Sequence, residues 1–281
     1  MEADLRNFVA SRRPFRVVSR LLTDLPMSDL LIERDGNVAI LKLNRAPKRN
    51  ALNDPLVREI GAFFDTMPKD VRAVVIAGNG DHFCAGLDLS DLNELDAYEG
   101  AEHSRVWHRV FDNIQFGRVP VVAALHGAVI GGGLELACCA HVRVADATAF
   151  YALPEGQRGI FVGGGGSVRV PRLVGVARMA DMMLTGRVYR AEEGERVGFA
   201  QYLVGAGEAL AKATELAQKI ADNAVMTNYA VVQALPRIAE AGHDGGLYLE
   251  AMIAGITQAS PEAKAKIRLF LEGKAKKVGA E

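Results

Sequence analysis

The stretch VPVVAALHGAVIGGGLELA, residues 119–137, decides the fold class of this chain. Its first part, 119–125, is a short valine-rich apolar run, the pattern of a strand covered on both faces. His126 sits in the turn that ends it, in a place suited to a histidine bonded to backbone. Gly131-Gly132-Gly133 makes a second turn free of side chains, and 133–140 reads as a helix launched from it. Strand, glycine turn and helix in such quick succession are the unit of a wound α/β core.

The same grammar recurs on either side. Residues 30–34 and 38–43 are short β-type runs around Asp35-Gly36-Asn37, which predicts a hairpin. Asn53 can cap a helix with Pro55 in its first turn, and apolar periodicity runs from Leu56 to about Met67. Residues 73–78 form a buried strand ended by glycine, 142–145 another strand, and 91–116 a helical segment. A helix over 165–174 again leaves a glycine-rich turn. From about 176 the pattern is almost entirely helical, over 178–184, 191–197, 206–223, 226–241, 246–256 and 261–271. The expected organisation is an extension over 1–26, a core over 27–205 and a helical region over 206–281. No low-complexity linker and no internal repeat divides it.

Composition narrows the function classes. Of 281 residues 49% are hydrophobic, enough for a real core, and the formal net charge of −1 is spread without a basic patch. A nucleic-acid or membrane-surface protein normally carries such a patch, so neither partner is expected. No apolar stretch is long enough to span a bilayer, the nearest being broken by His126, the glycines and Glu135. The cysteines are Cys84, Cys138 and Cys139, an odd count with two adjacent, which argues for a reducing, cytoplasmic compartment rather than a disulfide framework. Five arginines within 1–26 leave mitochondrial import open, although Glu2, Asp4 and Asp24 fit a transit peptide poorly, and Met27 is an alternative start. No His/Cys/Asp cluster has metal-ligand spacing and no dinucleotide fingerprint follows a first strand, so no metal or redox cofactor is expected.

Glu135 stands in an otherwise apolar run, and a glutamate is rarely buried without a partner or a task. Glu155 follows Pro154 twenty residues later, and Phe83-Cys84-Ala85-Gly86-Leu87-Asp88 is a second small-residue turn entering a helix. Each glycine turn alone is ordinary, Glu155 alone could be a solvated loop acid, and Glu135 could pair with an arginine. Together they offer two backbone N–H donors, at Leu87 and Gly132, and two carboxylates. That set suits the making and protonation of a thioester enolate: the donors stabilise charge on the carbonyl oxygen, and neighbouring carboxylates separate into acid and base.

These residues carry a resemblance to the crotonase (enoyl-CoA hydratase/isomerase) superfamily, from about Leu30 to Lys277. The matching features are the run 43–52 (Leu43-Asn44-Arg45-Ala46-Pro47-Lys48-Arg49-Asn50-Ala51-Leu52), 82–89 from His82 to Leu89, 127–137, Pro154-Glu155, and Leu184-Thr185-Gly186 before Ala191-Glu192. The resemblance implies a spiral of ββα turns with a C-terminal helical trimerisation region, assembled as trimers or dimers of trimers. It implies a lyase of acyl-CoA and fatty-acid (lipid) metabolism, with coenzyme A entering as part of the substrate and no separate cofactor. Leu87 and Gly132 match the oxyanion-hole amides, and Glu135 and Glu155 the two glutamates of the true hydratases. Glu135 would deprotonate the water added to a 2-enoyl-CoA and Glu155 would exchange the α-proton. Lys48 and Arg49 fall where coenzyme A phosphates are met. The backbone around Ala51, Ala85 and Leu89 would flank the adenine and pantetheine arm, Asp88, Gly131, Pro154 and Gly163 are further substrate- or CoA-binding positions, and Phe270 and Lys274 lie in the C-terminal helix that can reach coenzyme A.

Some positions depart from the family pattern. His141 stands where an aspartate is usual, Val162-Gly163 replaces Pro-Gly, Ser167-Val168 replaces Thr-Gln, and Gln157-Arg158 is more polar than usual. The extra aspartate of dienoyl-CoA isomerases falls at Gly163, and no aspartate lies between 150 and 180 to serve a dehalogenase. His103, Trp107, His108 and Phe111 lie in the segment that shapes the acyl pocket, with Trp107 read as packing. The leading expectation is therefore hydration of 2-enoyl-CoA. The alternatives are another reaction of the superfamily (isomerisation, thioester hydrolysis or retro-aldol cleavage) and a non-catalytic CoA- or RNA-binding relative.

Overall fold

The computed structural model describes residues 28–91 and 95–274. The expectations for the 1–26 extension and for Met27 as a start lie outside the described residues.

The hairpin forms as read, β1 (Leu30–Asp35) running antiparallel to β2 (Val38–Leu43) across Gly36-Asn37. α1 (Asp54–Thr66) starts where Asn53 accepts the Leu56 N–H on its side chain, at 3.0 Å. β3 (Ala73–Gly78) follows. α2 (Ala97–Gln115) begins later than the 91–116 periodicity suggests, because Asp96 and Glu99 form a reciprocal capping box that fixes its first turn. Then come β4 (Val121–Leu125), β5 (Ala128–Ile130), α3 (Gly132–Ala137), β6 (Val142–Asp146), β7 (Phe150–Ala152), α4 (Gly166–Val174) and α5 (Val176–Thr185).

After residue 176 the chain is less purely helical than its pattern suggests. β8 (Tyr189–Arg190) and β9 (Tyr202–Val204) flank α6 (Ala191–Val197), and only then do α7 (Ala209–Ala221), α8 (Val225–Glu240), α9 (His243–Ala259) and α10 (Pro261–Leu271) follow. β8 and β9 are too short to carry a period, and backbone pairing with distant strands makes them.

The main sheet has the order β1-β2-β3-β4-β6-β9, parallel except for the first pair. The inner strands β2, β3 and β4 are covered on both faces, which explains their near-continuous apolar runs. Leu41, Leu43, Val74, Ile76, Val121 and Leu125 face the larger core with α1, α2 and α3. The alternate residues Val38, Ile40, Val75 and Val122 meet Ala209, Ala213, Ala217 and Ala221, an every-fourth-residue alanine stripe that lets α7 lie close to the sheet. So α7 packs on the core, although its sequence groups it with the terminal helices.

Each turn of the chain also sends a short segment into a second layer. Leu52 bridges Leu87, Cys84 bridges Val129 on β5, and β5, β7 and β8 form a three-stranded sheet. This stacking of strand, short strand and helix is the ββα spiral, and it brings the turns around 86, 131 and 154 to one edge. His141 serves this frame. Its Nδ1 accepts the Val121 N–H and its Nε2 lies 2.9 Å from the Gln115 carbonyl, while burial pushes its pKa down. His126 bonds the Gly80 carbonyl, as its turn position suggests. No helix among the described residues is long and apolar enough to cross a membrane.

Candidate active site

Glu135 and Glu155 line one cavity of about 410 Å³ together with Leu87, Gly132, Gly163 and Gly164. Three consecutive turns of the spiral supply these residues. Strand β5 ends at Ile130, and Gly131 turns the chain with φ 52° and ψ −124°, a conformation open to glycine, before α3 begins. The Gly131 N–H is used on the Ala152 carbonyl at 2.9 Å, so the chain approaches β7 here. Gly132 is the first residue of α3, where an N–H has no carbonyl behind it in the helix.

Leu87 lies directly opposite. A Cβ placed on Gly132 would stand 3.4 Å from the Leu87 nitrogen, and one on Gly86 would stand 3.3 Å from the Gly132 nitrogen. Two glycines therefore keep the space around these amides clear. Leu52 donates to the Gly86 carbonyl and Asp88 donates to the Leu52 carbonyl, which holds the turn while leaving the Leu87 N–H without an acceptor among the described residues. Two uncommitted donors at the cavity wall can bind a carbonyl oxygen as it gains charge.

The carboxylate of Glu135 is held by a cradle of glycines. Its Oε1 accepts the N–H of Gly164 at 2.9 Å and of Gly166 at 2.7 Å, the latter opening α4. A Cβ on Gly166 would stand 2.8 Å from the Glu135 carboxylate, so the four-glycine run 163–166 fits the acid closely. Burial, opposed by those two donors and reinforced by Glu155, pushes Glu135 up to about 7. Burial also raises Glu155. This second acid is 7% exposed and its Oε2 has no hydrogen-bond partner among the described residues. Its Oε1 sits over Gly131, 2.6 Å from where a Cβ would be. Two enclosed carboxyls beside each other cannot both be readily ionised, which is the condition for an acid and a base in one site.

The other residues expected at the site divide into three groups. Pro154 immediately precedes Glu155, and its carbonyl accepts the Gln157 N–H that folds the 3-10 turn there. Lys48, Arg49, Ala51, Ala85, Asp88 and Leu89 gather on the adjoining edge: the Ala85 N–H bonds the Arg49 carbonyl, and Arg49 and Asn50 hold left-handed φ values of 52° and 56°. Asp88 is turned inward, 2.9 Å from Arg45 and 2.6 Å from the Ser90 hydroxyl; Ser90, Arg45 and Lys48 hold its carboxyl down at about 2. Its carboxylate therefore braces the loop, while Lys48 and Arg49 remain exposed. Phe270, 68% exposed, and Lys274, paired with Glu272, stand at the end of α10 and do not line the cavity.

The sequence reading missed several residues that build the cavity. Gly164 and Gly166 hold Glu135, and the run of four glycines was their signal. Arg169 is buried and donates to the Gly164 carbonyl, to Gln115 and to Asp112, tying the cradle to α2. Trp107 is packing, as expected, yet it also lines the cavity and donates to Asp54 at 3.1 Å. A larger hollow of about 650 Å³ between α2, α4 and α8 carries charges that are paired, Arg169 with Asp112 and Arg172 with Glu240. It lacks the combination of open amides and carboxyls that makes the smaller cavity the candidate active site.

The chain resembles known proteins over most of its length. The family model described as enoyl-CoA hydratase/isomerase matches residues 33–278. A short-chain-enoyl-CoA hydratase from Clostridium acetobutylicum is 30% identical over 251 residues, 88% of this chain and 96% of that protein. A crotonyl-CoA hydratase from Syntrophomonas wolfei is 31% identical, covering 87% and 95%. A crystal structure of a protein put forward as an enoyl-CoA hydratase, from Rhodopseudomonas palustris, superimposes with a TM-score of 0.86 at 61% identity, covering 88% of this chain and 95% of that one.

Proposed function

The chain belongs to the enoyl-CoA hydratase/isomerase family, and on that premise we propose that it is a lyase that adds water to 2-enoyl-CoA thioesters, giving 3-hydroxyacyl-CoA. The observation that carries this reading is the meeting of Glu135, Glu155, Leu87 and Gly132 around one cavity. The thioester carbonyl oxygen is bound between the N–H groups of Leu87 and Gly132. Charge moves onto that oxygen when hydroxide adds at the β-carbon, and the two donors lower the barrier to the enolate, by a few kcal/mol for each donor.

Glu135 takes the proton of the water as its oxygen bonds to the β-carbon, and Glu155 gives a proton to the α-carbon as the enolate collapses. One proton leaves the water and one reaches carbon, so the carboxyls exchange a single charge that solvent resets. Glu135 is the more enclosed acid, but the Gly164 and Gly166 donors favour its ionised form. Glu155 has an enclosed oxygen with no donor, which favours its neutral form. These surroundings support Glu135 as base and Glu155 as acid.

The test follows the loss of the conjugated enoyl chromophore of crotonyl-CoA and longer enoyl-CoAs. Hydration by wild type supports the reading, whereas wild-type protein that leaves all of them unhydrated would falsify it. Equal rates for Glu155→Gln and wild type would remove Glu155 from the mechanism.

The coenzyme A arm is assigned to the edge carrying Lys48, Arg49, Ala51, Ala85 and Leu89, supported by its continuity with Leu87. Large apolar side chains remain exposed along α8 and α9, among them Tyr229, Leu235, Tyr248 and Met252. They support a homo-oligomer, a trimer or a dimer of trimers, which light scattering on the eluting protein would read directly.

A further inference from the structure

The acyl end of this cavity has two dissimilar walls, and the inference that follows rests on the hydratase reading. One wall is apolar, with Ile160 and Phe161. The other is a single face of α2, where Gly100, His103, Ser104 and Trp107 recur at the spacing of one helix stripe. Trp107 lies innermost, its Cζ3 3.3 Å from where a Cβ on Gly132 would be. Gly100 leaves its place open, a Cβ there meeting nothing within 4 Å. Between them stand an imidazole and a hydroxyl.

His103 is held in place. Its Nε2 lies 2.8 Å from Asp54 Oδ1, the same oxygen that accepts the Trp107 indole N–H at 3.1 Å. Asp54 opens α1, so one carboxylate fixes two side chains of the α2 face to a second helix. With Nε2 donating to that carboxylate, Nδ1 is the ring's remaining polar atom. Neither Nδ1 nor the Ser104 hydroxyl has a hydrogen-bond partner among the described residues. Against a hydrocarbon chain both groups would lose water and gain nothing, a cost of about 1–3 kcal/mol for each unsatisfied group. An oxygen on the acyl group would satisfy them.

We propose that His103 and Ser104 are specificity-determining residues that recognise an oxygen on the distal part of the acyl group, so that the preferred substrate is a 2-enoyl-CoA ending in a hydroxyl or a carboxylate. Nδ1 can accept from a hydroxyl, and the Ser104 hydroxyl can donate to a carboxylate. Ser104 can serve either.

The experiment compares kcat/KM for three substrates of equal chain length: 2-pentenoyl-CoA, 5-hydroxy-2-pentenoyl-CoA and glutaconyl-CoA. Wild type is expected to favour one oxygenated substrate over 2-pentenoyl-CoA by about tenfold, the effect of one hydrogen bond of ordinary strength. Which one it favours separates the hydroxyl from the carboxylate source. In His103→Leu that ratio falls to about threefold, the share left to Ser104, and in Ser104→Ala, a change too small to endanger folding, it also falls by about threefold. Wild type that handles 2-pentenoyl-CoA as well as both oxygenated substrates overturns the inference, and so does a ratio that neither variant moves. Failure to hydrate any of the three would strike the hydratase reading instead.

Discussion

Glu135 and Glu155 reach the same cavity from backbones built in opposite ways. Glu135 is carried by a short helix and returned to the start of another, where two N–H groups of the glycine run 163–166 grip one oxygen. Glu155 follows a strand and a proline, and its enclosed Oε2 has no donor among the described residues. Burial raises both acids, so residue type and burial do not tell them apart. Backbone N–H groups oppose that rise at both acids, two from the glycine run at Glu135 and its own at Glu155, because a donor to a carboxylate favours the ionised form. What sets the two surroundings apart is the pair of glycine amides from another turn of the chain, which reach Glu135 alone.

The largest effect expected is the loss of either carboxyl. Glu135→Gln and Glu155→Gln should each lower kcat by about 100- to 10,000-fold, and the double variant should fall little further, because the two act as one unit. Additive losses in kcat would break the pairing. Next come the glycines. Gly131→Ala combines a φ of 52° with a Cβ 2.6 Å from Glu155 Oε1, while Gly166→Ala brings a Cβ 2.8 Å from the carboxylate of Glu135. Both should lose activity by about tenfold or more, with Gly131→Ala also costing about 1–3 kcal/mol in stability through backbone strain. Thermal unfolding and kcat/KM on the two variants would separate strain from misplaced chemistry.

A third expectation concerns pH. Glu135 is raised from 4.5 to about 7 in the folded protein, so folding favours its protonated form. That contribution to stability is fully present below about 4.5 and is lost as pH rises through about 7. Glu135→Gln should therefore be more stable than wild type at pH ~8, by up to about 3 kcal/mol, and equally stable at pH ~4. Denaturant titrations at the two pH values check the sign. Activity should run the other way, with kcat/KM rising through neutrality as Glu135 ionises.

How much of this was legible beforehand follows from how local each feature is. β2, β3 and β4 are readable because both faces are covered and their apolar runs are unbroken. β5, β7, β8 and β9 hold two or three residues each, too few for any period, and exist by pairing with strands far along the chain. Glu135 announced itself as an acid in an apolar helix. Its partners Gly164 and Gly166 lie 29 and 31 residues away, and nothing local links them to it. Asp54 reads as an ordinary first-turn acid, and its hold on His103 arises only when α2 crosses α1. Placement of backbone donors is thus a tertiary property, even where the acids they serve are plain in the sequence.

The smallest expected effect tests whether the glycine cradle works through shape or through charge. Arg169 donates through Nη1 to the Gly164 carbonyl at 3.1 Å, on the very residue whose N–H binds Glu135, and its positive charge lowers the Glu135 pKa. Nε and Nη2 engage Gln115 and Asp112 on α2, so the guanidinium locks the cradle to that helix. Arg169→Lys keeps the charge but loses the fork, and Arg169→Met loses both. If charge matters, the acid limb of the kcat/KM profile moves upward by a few tenths of a pH unit in Arg169→Met and stays in place in Arg169→Lys. If shape matters, both variants lose kcat by a similar small factor with the limb unmoved. A limb that moves in both would mean that the cradle has opened to water, since altered solvation of Glu135 then outweighs the retained charge.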